Sequence, residues 1–293
     1  MLDSGAPFIS EKLNDKISIP TGDARYLRLG TGIRTILTSN TNYYVATTGN
    51  DSNAGTSGSP WLTIQHAINF IQSTIDLAGY TATINVANGT YTGGALINGP
   101  FTGGGTVILN GNTSSPASCI ISTTSADAIA VAYAALHVQG FKIQTTTAGN
   151  GLKAGVNGAI YLDGAMNYGN CVNDHMNAIE AGSFIGINAA YTISGGCSAG
   201  GHWVAQYAGA HISCVGQTIT LTGTPSFGSA FAYCDGGYLL VSGNTFSGAA
   251  SGSRYAALNN GVINTGGGGT SYFPGSTSGT GTNSGTSPYG LYL

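Results

Sequence analysis

The sequence predicts an all-β chain wound into a parallel β-helix of about seven coils, preceded by a capping helix. Three observations carry this prediction. Gly supplies 48 of 293 residues while Lys and Arg supply 8 and Asp and Glu 11. Short aliphatic pairs recur on a beat of 23 to 29 residues. The charge that is present drops away after residue 34.

Residues 1–40 read as a separate segment. Residues 1–34 hold five of the eight basic side chains (Lys12, Lys16, Arg25, Arg28, Arg34) and four acids (Asp3, Glu11, Asp15, Asp23), whereas from Thr35 onward only Lys142, Lys153 and Arg254 face seven carboxylates. Such a shift places a boundary near residues 35–42. Next, Ile64, Ala67, Ile68, Ile71 and Ile75 keep the spacing of one helix face. With Ser59 as N-cap, Pro60 at the first helical position and Gly79 as the stop, the expected helix spans 60–78 and covers the open edge of the first coil.

The coils fill residues 41–264. The aliphatic pairs are Ile84/Val86, Val107/Leu109, Leu136/Val138, Ile160/Leu162, Ile185/Ile187, Ile212/Cys214 and Leu239/Val241. Residues two apart share a face of a strand, so each pair points inward, and Gly140, Gly164, Gly216 and Gly243 follow four of them where a tight bend is needed. A second apolar column runs through Leu152, Ile179, Val204, Phe231 and Tyr255, so each coil has two or three strands. Seven coils spaced by about 4.8 Å make a rod roughly 34 Å long. A β-sandwich would instead show hairpin signals at intervals of roughly 8–12 residues and no register-keeping column. Residues 265–293 form a Gly/Ser/Thr-rich tail, flexible or ordered only by docking, with Tyr289, Leu291, Tyr292 and Leu293 as anchors.

Composition also excludes. So few Lys and Arg leave no basic face for nucleic acid, and the apolar runs are too short for a membrane span or a signal core. No cofactor loop is indicated, because the Gly-rich stretch 266–280 lacks the Lys-Ser/Thr ending of a phosphate cradle. No metal is indicated either, since His175 and His202 show no ligand spacing and read as structural or surface residues. Five Cys without a CxxC motif read as small buried side chains of a protein folded in a reducing cytoplasm, with a Cys171–Cys197 disulfide as the alternative.

The run Tyr43-Tyr44-Val45-Ala46-Thr47-Thr48-Gly49-Asn50-Asp51-Ser52-Asn53-Ala54-Gly55, followed by Ser59-Pro60-Trp61-Leu62-Thr63-Ile64-Gln65-His66-Ala67 and Val86-Ala87-Asn88-Gly89-Thr90-Tyr91, resembles the opening of pectin-lyase-like right-handed β-helices. It is most similar to those of bacteriophage tail spikes and tail fibres. Asp23-Ala24-Arg25-Tyr26-Leu27-Arg28-Leu29 resembles a short stretch preceding the distal part of phage tail fibres. The resemblance covers about residues 23–91, and the coils extend it to about 250. It implies a right-handed parallel β-helix made in the host cytoplasm and carried in the virion tail as a homotrimer. It further implies attachment to a tail or baseplate protein through residues 1–34, with Asp23, Arg25, Tyr26, Leu27, Arg28 and Leu29 as the attachment motif, and recognition of a host-surface glycan by the coils.

Catalysis on such a fold, by resemblance, needs a basic residue with carboxylate-held Ca²⁺ or a pair of Asp/Glu acting as acid and base. The carboxylate candidates are Asp163, Asp174, Glu180 and Asp235; Lys142, Lys153 and Arg254 are the candidate bases. The bland alternative makes all of them isolated surface or turn charges. Scarce charge favours binding instead. The expected glycan patch is His137 and Tyr161 beside the outward column Gln139, Asp163 and Asn188, where aromatic faces and amides supply the recognition chemistry; the alternative is that these outward residues only stack on their neighbours or fill a trimer interface. Three readings stand: attachment without catalysis, a polysaccharide lyase or glycosidase on the same fold, and a structural spacer of the tail.

Overall fold

Alternating inward and outward side chains, cut every few residues by Gly or Asn, leave each segment able to bury one face and unable to close a sheet by itself. Stacking successive coils solves both problems. The computed structural model describes residues 34–281 and 290–293; the attachment motif Asp23–Leu29 lies outside them. Among the described residues, seven complete coils of three strands each run from Thr81 to Leu258 and build three parallel sheets. The longest sheet gains Thr41–Val45 at one end and Val262–Asn264 and Leu291–Tyr292 at the other, giving about eight turns.

The inward columns form the core. In the long sheet Ile84, Leu109, Val138, Leu162, Ile187 and Cys214 stack in register and are buried. Each such aliphatic contributes roughly 1.5–3 kcal/mol of burial, while strand edges hydrogen-bond to the coils above and below. Two details of the expected register change. Ile84 pairs with Leu109, so the first inward pair is Ala82/Ile84 and its step to the next is 25 residues. A slip of two residues keeps the same face, so hydrophobic alternation cannot distinguish the two registers. The third-sheet column is Leu152, Met176, Trp203, Ala232 and Tyr255. Ile179 and Val204 stand an odd number of residues from it and point the other way, and Phe231 sits in the bend before its strand.

The helix, α1 (Ile64–Thr74), buries Ile64, Ala67, Ile68 and Ile71. It is shorter than the expected 60–78. Its N-cap is Thr63, whose hydroxyl accepts from the His66 N–H. Asp51 holds the preceding chain extended, with Oδ1 accepting from the N–H groups of Leu62 and Thr63, both at 2.9 Å, and Trp61 bridges to Val45 as a strand would. At the other end Ile75–Asp76 leaves the helix to pair with Thr35–Ile36.

The opposite end is closed by the tail. Phe273 is buried and lies 5.9 Å from Phe231 and 6.1 Å from Trp203 between ring centroids, and Tyr292 stacks on Tyr255 at 3.8 Å. Residues 265–281 and 290–293 are thus ordered by docking, with an aromatic plug over the last coil. Tyr289 lies outside the described residues.

Inside coils four and five the core contains a polar chain. His175 Nε2 lies 2.7 Å from the Gly169 carbonyl, His175 Nδ1 2.9 Å from His202 Nδ1, and His202 Nε2 2.7 Å from the Tyr191 hydroxyl. A carbonyl only accepts, so His175 carries its proton on Nε2 and accepts at Nδ1. His202 then donates from Nδ1 and accepts from Tyr191 at Nε2. Both imidazoles are fully buried and neutral: burial pushes His175 down to about 4 and His202 well below its usual value. All five Cys are free and buried, and Cys171 and Cys197 meet across adjacent coils as a parallel bridge with thiols unjoined.

Candidate functional site

The outward face of the long sheet places aromatic rings on consecutive coils. Registers align His137 with Tyr161 and Gly186, and Phe184 with His211 and Tyr238. The rings form one rail. Centroids are 4.7 Å apart from His137 to Tyr161, 5.5 Å to Phe184, 5.2 Å to His211 and 5.0 Å to Tyr238. All five side chains are half-buried, with faces or edges open to solvent. Gly186 is where the rail changes column. A Cβ there would stand 2.8 Å from Phe184 Cε1 and 3.2 Å from Tyr161 Cδ1, so its absence lets the Phe184 ring lean across the strand to meet Tyr161. Partial burial lowers the His211 pKa, keeping that ring neutral at neutral pH.

A polar ladder runs along the same sheet face, beginning three strands before the rail and flanking it from Gln139 to Asn188. Asn85 Nδ2 donates to Asn42 Oδ1 (3.0 Å), Asn110 Nδ2 to Asn85 Oδ1 (2.9 Å), and Gln139 Nε2 to Asn110 Oδ1 (2.9 Å). Further along, Asn188 Nδ2 donates to Asp163 Oδ1 at 2.8 Å, and Asp163 Oδ2 contacts His137 Nδ1. A primary amide has two N–H groups and two carbonyl lone pairs, so these bonds leave hydrogen-bonding capacity free on each ladder amide. The structure therefore brings His137, Tyr161, Gln139, Asp163 and Asn188 onto one face. Phe184, His211 and Tyr238 complete it, and their signal was in the sequence: each immediately precedes an inward aliphatic pair in three successive coils.

The four carboxylate candidates do not gather. Asp163 borders the long sheet, while Asp174, Glu180 and Asp235 border the third. Asp174 is not a solvated turn residue. It belongs to a buried ladder in which a side-chain oxygen of each coil accepts from a backbone N–H of the next: Asp127 from Asn150 (2.7 Å), Asn150 from Asp174 (3.1 Å), Asp174 from Gly201 (2.8 Å). Desolvation raises the Asp174 pKa against the bonds from Gly201 and Asn177. Asp235 accepts from Asn259 Nδ2 at 2.7 Å. Glu180 and Asp235 end strands two apart in one sheet, roughly 10 Å by strand spacing. Of the bases, Lys153 faces Asp127 at 3.9 Å and Arg254 donates to the Thr277 carbonyl. Lys142 lies on the second sheet in register with Ile120 and Asn167. Among the described residues no three His, Cys, Asp or Glu side chains are grouped to hold a metal ion, and no helix is long and apolar enough to cross a membrane.

Fold and face together define a parallel β-helix with an outward aromatic rail. No family model, no curated protein and no solved structure matches the chain.

Proposed function

We propose that this protein is a tail spike or tail fibre component of a virion and attaches to its bacterial host by laying a surface polysaccharide along the rail His137–Tyr161–Phe184–His211–Tyr238. The rail is the observation that carries the reading. Its rings are spaced by one strand each and run along the solenoid axis, an arrangement suited to a linear chain of sugar rings whose apolar faces stack on aromatics. Beside it, Gln139, Asp163 and Asn188 supply donors and acceptors for hydroxyl groups, and Asn42, Asn85 and Asn110 continue the ladder past the His137 end of the rail. The virion setting, the homotrimer, and docking of residues 1–34 to the tail rest on the resemblance of residues 23–91 to phage tail proteins.

The test is titration of purified lipopolysaccharide or capsule from bacterial strains into the wild type and a Tyr161→Ala/Phe184→Ala variant. The wild type binds material from at least one strain, the double variant at least about tenfold more weakly, and neither releases new reducing ends or unsaturated sugars. Gly186→Ala, which pushes Phe184 from its stack, weakens binding without unfolding the chain. Equal binding by the rail variants would refute the assignment of the face, and appearance of new sugar ends would replace attachment with depolymerisation.

A further inference from the structure

A second concavity lies away from the rail, on the outward face of the third sheet, with a volume of about 260 Å³. It is lined by small residues, including Ala130 and Gly155, and by the larger Leu96, Tyr133, Lys153 and Glu180. Leu96 is 60% exposed and Tyr133 52%, so each offers an uncovered apolar surface. Glu180 Oε2 lies beside Gly155, 3.8 Å from where a Cβ there would stand. Lys153 Nζ lies 3.9 Å from Asp127 Oδ2, and both side chains line the groove. The described residues carry only four bases and seven acids, and three of these eleven line this one groove.

The backbone adds an independent sign. Tyr133, Glu180 and Tyr207 each follow a strand of the third sheet at the same turn position, with φ of +57°, +79° and +70°. In the next coil Gly236 occupies that position with φ +72°, as expected for a left-handed residue. A bulky side chain there is strained, and retained strain is a pointer to function. Two of these three strained residues, Tyr133 and Glu180, line the groove.

We infer that this groove is a second saccharide site, separate from the rail, which takes a single neutral hexopyranose residue such as a chain end or branch. A tyrosine ring and Leu96 flank the apolar face of the sugar; Glu180 and Asp127 accept from its hydroxyls, and Lys153 donates. Two carboxylates against one ammonium disfavour an anionic sugar.

Saturation-transfer NMR with methyl glucoside, galactoside and mannoside, and with methyl glucuronide as the anionic control, tests this. At least one neutral glycoside gives transfer at millimolar concentration and the glucuronide none. Tyr133→Gly relieves the strained turn, so its melting temperature is unchanged or higher, while its affinity falls at least about tenfold; Glu180→Gln also weakens binding. Tyr161→Ala/Phe184→Ala keeps the hexoside signal, so loss of the rail and loss of the groove are read separately. The inference is overturned by any of four results: no transfer to any neutral glycoside, an undiminished signal in Tyr133→Gly, equal binding of the glucuronide, or loss of the signal in the rail variant.

Discussion

Acidification from pH 7.5 to 5 should destabilise this protein through His175 and His202. Their chain of bonds is complete only when both rings are neutral. A proton on His175 Nδ1 would face the Nδ1–H of His202, and a proton on His202 Nε2 would displace the Tyr191 hydroxyl as donor. A histidine whose folded pKa is depressed stabilises fully above its unfolded value and loses that contribution as pH falls, because the unfolded chain takes up the proton first. For His175 the window opens at 6.5 and closes at about 4. At 1.36 kcal/mol per pH unit, the whole interval is worth about 3 kcal/mol, of which about 2 kcal/mol is lost by pH 5. His202, also lowered by burial and by the neighbouring His175, adds to the loss in the same sense. Asp174 acts in the opposite sense: its raised pKa means the folded state takes up that proton first, adding stability nearer its usual value of 3.8. His211, also lowered, adds to the loss. Urea unfolding at pH 7.5, 6.5, 5.5 and 5, followed by far-UV dichroism and tryptophan fluorescence, measures the effect, since Trp203 lies 5.2 Å from His202. A His175→Gln/His202→Gln variant starts less stable and has a much flatter profile. The reasoning fails if the wild type loses less than about 1 kcal/mol by pH 5, or if wild type and variant share one slope.

Two further predictions concern the core. Phe273→Ala removes the plug over the last coil and should cost about 3–5 kcal/mol, seen as a lowered urea midpoint; an unchanged midpoint would mean the tail does not close the solenoid. The five thiols should all resist Ellman's reagent in the native state, because burial pushes Cys119, Cys171 and Cys234 up to about 12 and holds Cys197 and Cys214 well above the usual thiol value. Rapid labelling of any thiol at neutral pH contradicts that placement.

Much of the site was legible because the β-helix is a repetitive object. Once Leu136/Val138 and Ile160/Leu162 are aligned, His137 must neighbour Tyr161, and Asp163 must lie between Gln139 and Asn188. Phe184, His211 and Tyr238 were equally accessible, one residue before the inward pairs. They stand in a different column from His137 and Tyr161, and only the missing Cβ of Gly186 shows how the two columns join. Asp174 was not legible, because the same residue type serves in a solvated turn and in a buried ladder; the difference is the Gly201 N–H one coil away.

The sequence by itself determined the architecture, since period-2 alternation repeated every 23 to 29 residues has few solutions besides stacked parallel coils. It also determined the scarcity of charge. Only the tertiary structure decided the register of the first coil, the end at which Phe273 docks, and the tautomers of the buried histidine pair. It alone placed Asp127, Lys153 and Glu180 around one groove. Each of these depends on which atoms of neighbouring coils meet, and the identity of a coil's neighbour at a given column is set by backbone pairing across some 25 residues of chain, which side-chain periodicity reports only to within one pleat.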